Sequence, residues 1–305
     1  MTQLPRLLPA LLILTACGDK NPPVSGAQPA APAASPAKPA VTSQPPSAGA
    51  PASPKRIWWT AEMLHTEIKY HNPDYAGGGE FAIEQGEVLA LNLRESQVTN
   101  LVFLERLSPL ALDLSATPIK DIRPLKNMRL QELYLEDSPV TDLSPLRGMP
   151  LQKLYLSRTP VSDLSALAGA PLVELNAVET RVSDLSPLAG CPIQMLWLTG
   201  TPVEDISPLK NVPMISLTLH RSRVRDLGPL AGTSLRRLHI GETPVTDLTP
   251  LKGLPLTRLV FTPASIKSGI EIAKALPLDE IGTRFDEERD LVPPAVFWPR
   301  FENGQ

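Results

Sequence analysis

The chain has 305 residues, 42% of them hydrophobic and 20% charged, with a formal net charge of −3. That balance provides no basic footprint for phosphate backbones, which excludes nucleic-acid binding as a function class. The only two cysteines, Cys17 and Cys191, supply no disulfide framework, so the folded part must be held together by burial alone.

In chain order, the first element is an N-terminal leader. One early cation, Arg6, precedes an apolar run over residues 7–15 that is too short to cross a bilayer, as in a secretory signal peptide covering 1–16. The run ends in Leu14-Thr15-Ala16-Cys17, which resembles the lipobox of bacterial lipoproteins. That resemblance implies cleavage before Cys17, a diacylglycerol on its sulfur and acylation, typically by palmitate, of the new amino terminus. It also implies a lipid-anchored place in the cell envelope. Gly18 after the cysteine favours the outer membrane if the envelope has two membranes. Residues 17–54 hold the lipidated Cys17 and then little but Pro, Ala and Ser, a composition that cannot build a core. In polyproline II, about 35 such residues reach on the order of 100 Å. The linker is expected to act as a spacer.

Residues 55–87 read as an N-terminal cap. Thr60 is placed to cap a helix running to about Tyr70, and the stretch HNPDYAGGGE breaks it. EFAIEQGEVLALNL then forms a hairpin about Gln85-Gly86.

From 88 to 266 the sequence repeats every 21 residues. An aspartate returns as Asp121, Asp142, Asp163, Asp184, Asp205, Asp226 and Asp247, one period after Asn100. Leucines in the same register run Leu112, Leu133, Leu154, Leu175, Leu196, Leu217, Leu238 and Leu259, each followed two residues later by another apolar residue. A β-branched column runs from Val98 to Val245 and a leucine column from Leu104 to Leu251. Each copy therefore carries one short L-x-L strand and a return, and it can bury its apolar side only against its neighbours. Between the columns, Ser or Thr followed by Pro, as in Ser144-Pro145, predicts a side-chain cap with proline in the first turn. Gly148, Gly169, Gly190, Asn211, Gly232, Gly253 and, in the first copy, Asn127 predict a stop with positive φ after one tight 3₁₀ turn. An aspartate present once per copy is expected to do one structural job per copy, bonding backbone amides of its turn.

The pattern L-x-x-L-x-L-x-x-T followed by D-L-S-P-L resembles the bacterial leucine-rich repeat and is similar to the internalin type. It implies a leucine-rich-repeat solenoid, a curved parallel sheet with a short 3₁₀ convex side and small caps. The period is 21 where internalin-like repeats commonly have 22. Where that family places an asparagine ladder, this chain has Ser96, Thr117, Ser138, Thr159, Thr180, Thr201, Ser222 and Thr243, whose hydroxyls can also bond buried backbone groups.

Residues 267–305 read as a C-terminal cap: IKSGIEIAKAL as a short helix, Leu278 and Ile281 as a degenerate last strand, and Phe297, Trp298 and Phe301 as a lid over the last coil. Cys191 shares an apolar column with Met149 and Leu254, as a buried core thiol would. Signatures of phosphate-binding loops, serine hydrolases, zinc proteases and kinases are missing, and His65, His71, His220 and His239 lack metal-ligand spacing. The chain is thus expected to be no enzyme, to need no cofactor or metal, and to be monomeric.

The middle residues of the strands form one column: Asn92, Asp113, Tyr134, Tyr155, Asn176, Trp197, Thr218, His239 and Val260. Alternation points them away from the core, onto the concave face. Tyr and Trp are common anchors of binding surfaces, so Tyr134, Tyr155, Trp197 and His239 are the candidate ligand-binding residues, with Glu132, Lys153, Glu174, Arg237, Glu136 and His220 flanking. A protein is the favoured partner and a glycan the alternative, since aromatic stripes also suit sugar rings. A scaffold of the envelope without a dedicated concave-face ligand is the competing reading.

Overall fold

The structure is a computed structural model that describes residues 57–284 and 291–303. The leader, Cys17 and the linker lie outside the described residues. The chain divides into Met1–Trp58 and Trp59–Gln305, and the account below concerns the second unit.

Helix α1 (Ala61–His71) starts at Thr60, whose Oγ1 accepts the Met63 N–H at 3.2 Å. Leu64 and Ile68, four residues apart, form its buried face, with Glu62 in the first turn and Lys69 and His71 in the last. Asn72 ends the helix and joins it to the first coil. Its buried side chain accepts from the Thr99 and Asn100 amides at 2.9 and 2.8 Å and donates to the Asn100 carbonyl at 2.9 Å. Strands β1 (Glu80–Glu84) and β2 (Glu87–Asn92) pair antiparallel about Gln85-Gly86, both at positive φ.

From β2 onward the sheet grows one parallel strand per coil: β3 (Ala111–Asp113), β4 (Glu132–Tyr134), β5 (Lys153–Tyr155), β6 (Glu174–Asn176), β7 (Met195–Trp197), β8 (Ser216–Thr218), β9 (Arg237–His239), β10 (Arg258–Val260) and β11 (Glu280–Gly282). The 11 strands lie in sequence order. Paired residues are 21 apart, as in Tyr134↔Tyr155, until Leu259↔Ile281, where the last coil carries one extra residue. The leucines at the strand centres and the columns from Val98 to Val245 and Leu104 to Leu251 are essentially inaccessible to solvent. Stacked coils thus share one continuous core.

The first coil returns through a five-residue 3₁₀ segment, Val102–Arg106, and the following coils through three-residue turns such as Ser144–Leu146. The aspartates close these turns: Asp142 Oδ1 accepts the Ser144 N–H at 2.8 Å, and the same bond recurs at Asp121, Asp163, Asp184, Asp205, Asp226 and Asp247. Asn100 does the same for Val102 at 2.9 Å. The serines are not the caps that the Ser-Pro pattern predicts. The Ser144 hydroxyl donates to Asp142 Oδ2 at 2.9 Å, so a carboxylate two residues upstream accepts both the amide and the hydroxyl, and no side chain of the preceding leucine takes part. The stop column is likewise at positive φ from Asn127 to Gly253, with Asn211 the exception. There Lys210 stays helical (φ −52°, ψ −34°), where its counterpart Arg147 has ψ 125°, and Val212 still donates to Leu209 at 3.0 Å without a left-handed residue.

A second left-handed column has no glycine signature except Gly200: Glu95, Ala116, Asp137, Arg158, Glu179, Gly200, Arg221 and Glu242 all have φ between 53° and 69°. This conformation turns each amide toward the next coil, as in Asp137 N–H to the Ser157 carbonyl at 2.9 Å and Glu179 N–H to Thr199 at 2.8 Å. The inter-coil bond offsets the steric cost of the conformation. The hydroxyl column bonds within coils: Thr159 Oγ1 donates to the Leu156 carbonyl at 2.7 Å, and all the others except Ser222 do likewise.

At the C-terminal end, Gly269 (φ 86°) lies so close to Thr249 that a Cβ would be 2.6 Å from its amide nitrogen. Helix α2 (Ile270–Lys274) follows, then β11, then α3 (Pro294–Glu302). Phe297 and Trp298 on α3 pack against Phe261 of the last full coil, and Lys274 pairs with Glu302 at 2.7 Å to tie α2 to α3.

Candidate functional site: the outer face of the sheet

Each strand turns its central leucine into the core and its first and third residues to the opposite face. Residues 92, 113, 134, 155, 176, 197, 218, 239 and 260 therefore form one row across β2–β10, as their register shows. This row is less open than alternation predicts. Asp113, Tyr134, Thr218 and Val260 are buried, Tyr134 being only 5% exposed, and Asn92, Tyr155, Asn176, Trp197 and His239 are half-buried. Strands this short and this close, about 4.8 Å apart, let neighbouring side chains cover one another.

The row's short polar members close turns. Asn92, Asp113 and Asn176 each accept the amide two residues on, at 3.1, 2.8 and 3.1 Å. Its aromatic members pack in tilted pairs. The Tyr134 and Tyr155 ring centroids are 5.0 Å apart, and Tyr155 and Trp197 meet at 6.1 Å across the coil of Asn176, because the small asparagine leaves the space over it open to both rings.

The flanking carboxylates hold the phenols. Tyr134 donates to Glu132 Oε2 at 2.9 Å, Tyr155 donates to Glu174 Oε2 at 2.7 Å, and Lys153 Nζ lies 3.2 Å from Glu132 Oε1. Burial first, and then the Glu132 carboxylate, push the Tyr134 hydroxyl far above the ordinary phenol range, so it stays a proton donor. His239 lies two strands beyond Trp197, separated from it by Thr218, and belongs to a different environment. Burial, with Arg258, His220 and Arg237 around it, lowers its pKa to about 4. It is neutral at neutral pH. Its neighbour His220 is buried, 3.6 Å from Glu242, and a Cβ on Gly241 would come within 3.0 Å of its ring. Of the four candidates, the structure brings Tyr134, Tyr155 and Trp197 together and leaves His239 outside their stack. Sequence reasoning missed the covering of Tyr134 and the turn-closing role of the asparagines and Asp113, whose only signal was an Asn or Asp as the last residue of the strand.

Among the described residues, no three His, Cys, Asp or Glu side chains are grouped to hold a metal ion, and no helix is long and apolar enough to cross a membrane. Cys191 is buried, and burial raises its thiol pKa.

Solved structures with this coil exist. An internalin (inlF) from Listeria monocytogenes is 26% identical, over 72% of this chain and 75% of its own, with a TM-score of 0.55. An internalin C2 (inlC2) from the same organism is 25% identical, over 65% of this chain and 92% of its own, with a TM-score of 0.56. The chain is a leucine-rich-repeat solenoid. The fold alone is also shared with a plant ice-binding protein, 14% identical over 75% of this chain and 81% of its own, at a TM-score of 0.53. No protein-family model matches the sequence, and no curated relative does. Within the leucine-rich-repeat solenoid, the aromatic stack occupies β4, β5 and β7 on the face opposite the core.

Proposed function

We propose that this leucine-rich-repeat protein is a lipid-anchored component of a bacterial cell envelope, held through Cys17, lifted from the membrane by its Pro/Ala-rich linker, and engaging a protein partner with the outer face of its sheet. The observation that carries this reading is the Tyr134–Tyr155–Trp197 stack, in which three of the chain's eight Tyr and Trp residues meet on one face. Large, rigid aromatic surface of this kind supplies the anchors of protein interfaces. The similarity to internalins supports a non-enzymatic recognition domain. The leader and lipobox support the anchoring.

The experiment is capture from native membranes by the full chain and by its Tyr155→Ser/Trp197→Ser variant, with melting temperatures measured in parallel. Tyr134 is left intact because its burial ties it to stability. Loss of one captured protein with little change in melting temperature is the expected outcome. An unchanged capture profile points to docking elsewhere, as in the scaffold reading. Metabolic labelling with a palmitate analogue, lost in Cys17→Ala, tests the anchor.

A further inference from the structure

The sheet face is largely neutralised by internal pairs. Glu132 has Lys153 at 3.2 Å, Glu136 has Arg94 at 3.7 Å, Asp137 has Arg158 at 2.5 Å, Glu242 has Arg221 at 2.9 Å and Glu280 has Arg258 at 2.5 Å. Glu174 breaks this pattern. Among the described residues its carboxylate has one hydrogen bond, from the neutral Tyr155 hydroxyl, and no ion pair. Glu179, just past the end of the same strand, also has no ion pair among them, and its Cγ lies against Gly200, in the coil of Trp197. Lys153, the register partner of Glu174 on β5, turns its ammonium to Glu132 at 3.2 Å, and Arg158 in the same coil pairs with Asp137.

Glu174 is half-buried on β6, one end of its carboxylate held by the hydroxyl of Tyr155, whose ring lies 6.1 Å from that of Trp197 on β7. A carboxylate partly withdrawn from water without a counter-charge favours an incoming cation, and so do the faces of a tyrosine and a tryptophan. A neutral sugar could stack on the rings but would leave the charge unmatched. We propose that the sheet-face surface carrying Tyr155, Trp197 and Glu174 seats a cationic side chain, lysine or arginine, from the protein partner. This rests on the reading of the sheet face as the binding face and specifies the chemistry it selects.

The test is NMR titration of the ¹⁵N-labelled full chain, following the Trp197 indole N–H, which Trp197→Phe identifies. The probes are a blocked Gly-Arg-Gly peptide, its lysine and citrulline analogues, and a neutral chito-oligosaccharide. The arginine and lysine peptides are expected to shift the Trp197 signal, the citrulline peptide and the sugar not, and Glu174→Gln is expected to weaken the effect about fivefold or more. Equal response to citrulline or to the sugar, or an unaffected Glu174→Gln variant, overturns the cation assignment. So does a silent Trp197 signal. In each of these cases, partner capture that still depends on Tyr155 and Trp197 keeps the face as the binding face. Capture indifferent to both residues removes that reading as well.

Discussion

A single aspartate shows how the repeat is held at the scale of the residue. Asp184 accepts the Ser186 amide with one oxygen and the Ser186 hydroxyl with the other, both at 2.8 Å, and these bonds hold its carboxyl below the usual range. Asp184→Ala leaves the first amide of its turn unbonded and is expected to lower the melting temperature by a few degrees. Asp184→Asn keeps the amide bond and should lose less. His239 makes a different prediction. An unfolded histidine takes up its proton near pH 6.5, whereas His239 resists until about pH 4. Between those values the unfolded chain holds the extra proton, so stability falls as pH drops from 6.5 to 4 and this contribution then levels off, by roughly 2–3 kcal/mol at most. Urea unfolding at pH 7, 5.5 and 4 should show a shallower decline for His239→Gln. An identical decline would place the sensitivity elsewhere.

Among elements, the coil is where the sequence was most legible. Its hydrophobic columns, its aspartates and its strand register all follow from a 21-residue period, because each must recur for identical coils to share a core. What was not legible is instructive. The left-handed column from Glu95 to Glu242 contains residues that do not favour positive φ, and only the amide bond to the next coil explains it. The exposure of Tyr134 was misjudged because alternation says which face a side chain joins, not how far its neighbours cover it. Asn72 was also silent in sequence, yet its side chain makes three bonds to the first repeat and a fourth back to Ile68 of α1. Asn72→Ala orphans the part-buried Thr99 and Asn100 amides and is expected to cost about 1–3 kcal/mol, measured as a shift in the urea midpoint at unchanged slope. A change near zero would mean that the cap and the repeats are joined by other contacts.

At the scale of the whole molecule, stability and, on the proposed function, recognition come from the same repetition. Stacked coils depend on nearest neighbours, so their two ends need covers: α1 with its hairpin at one end, and α3 with Phe297 and Trp298 over Phe261 at the other. Between them, eleven strands present one continuous face on which aromatic rings and carboxylates keep fixed spacing. On the proposed function this face, and not the 3₁₀ side, meets the partner. Photo-crosslinking tests it most directly, with a benzophenone amino acid placed at Tyr155 on the sheet face or at Ser186 on the 3₁₀ side of the full chain in native membranes. The prediction is a discrete crosslinked protein from position 155 and none from 186; a product from 186 alone would contradict it.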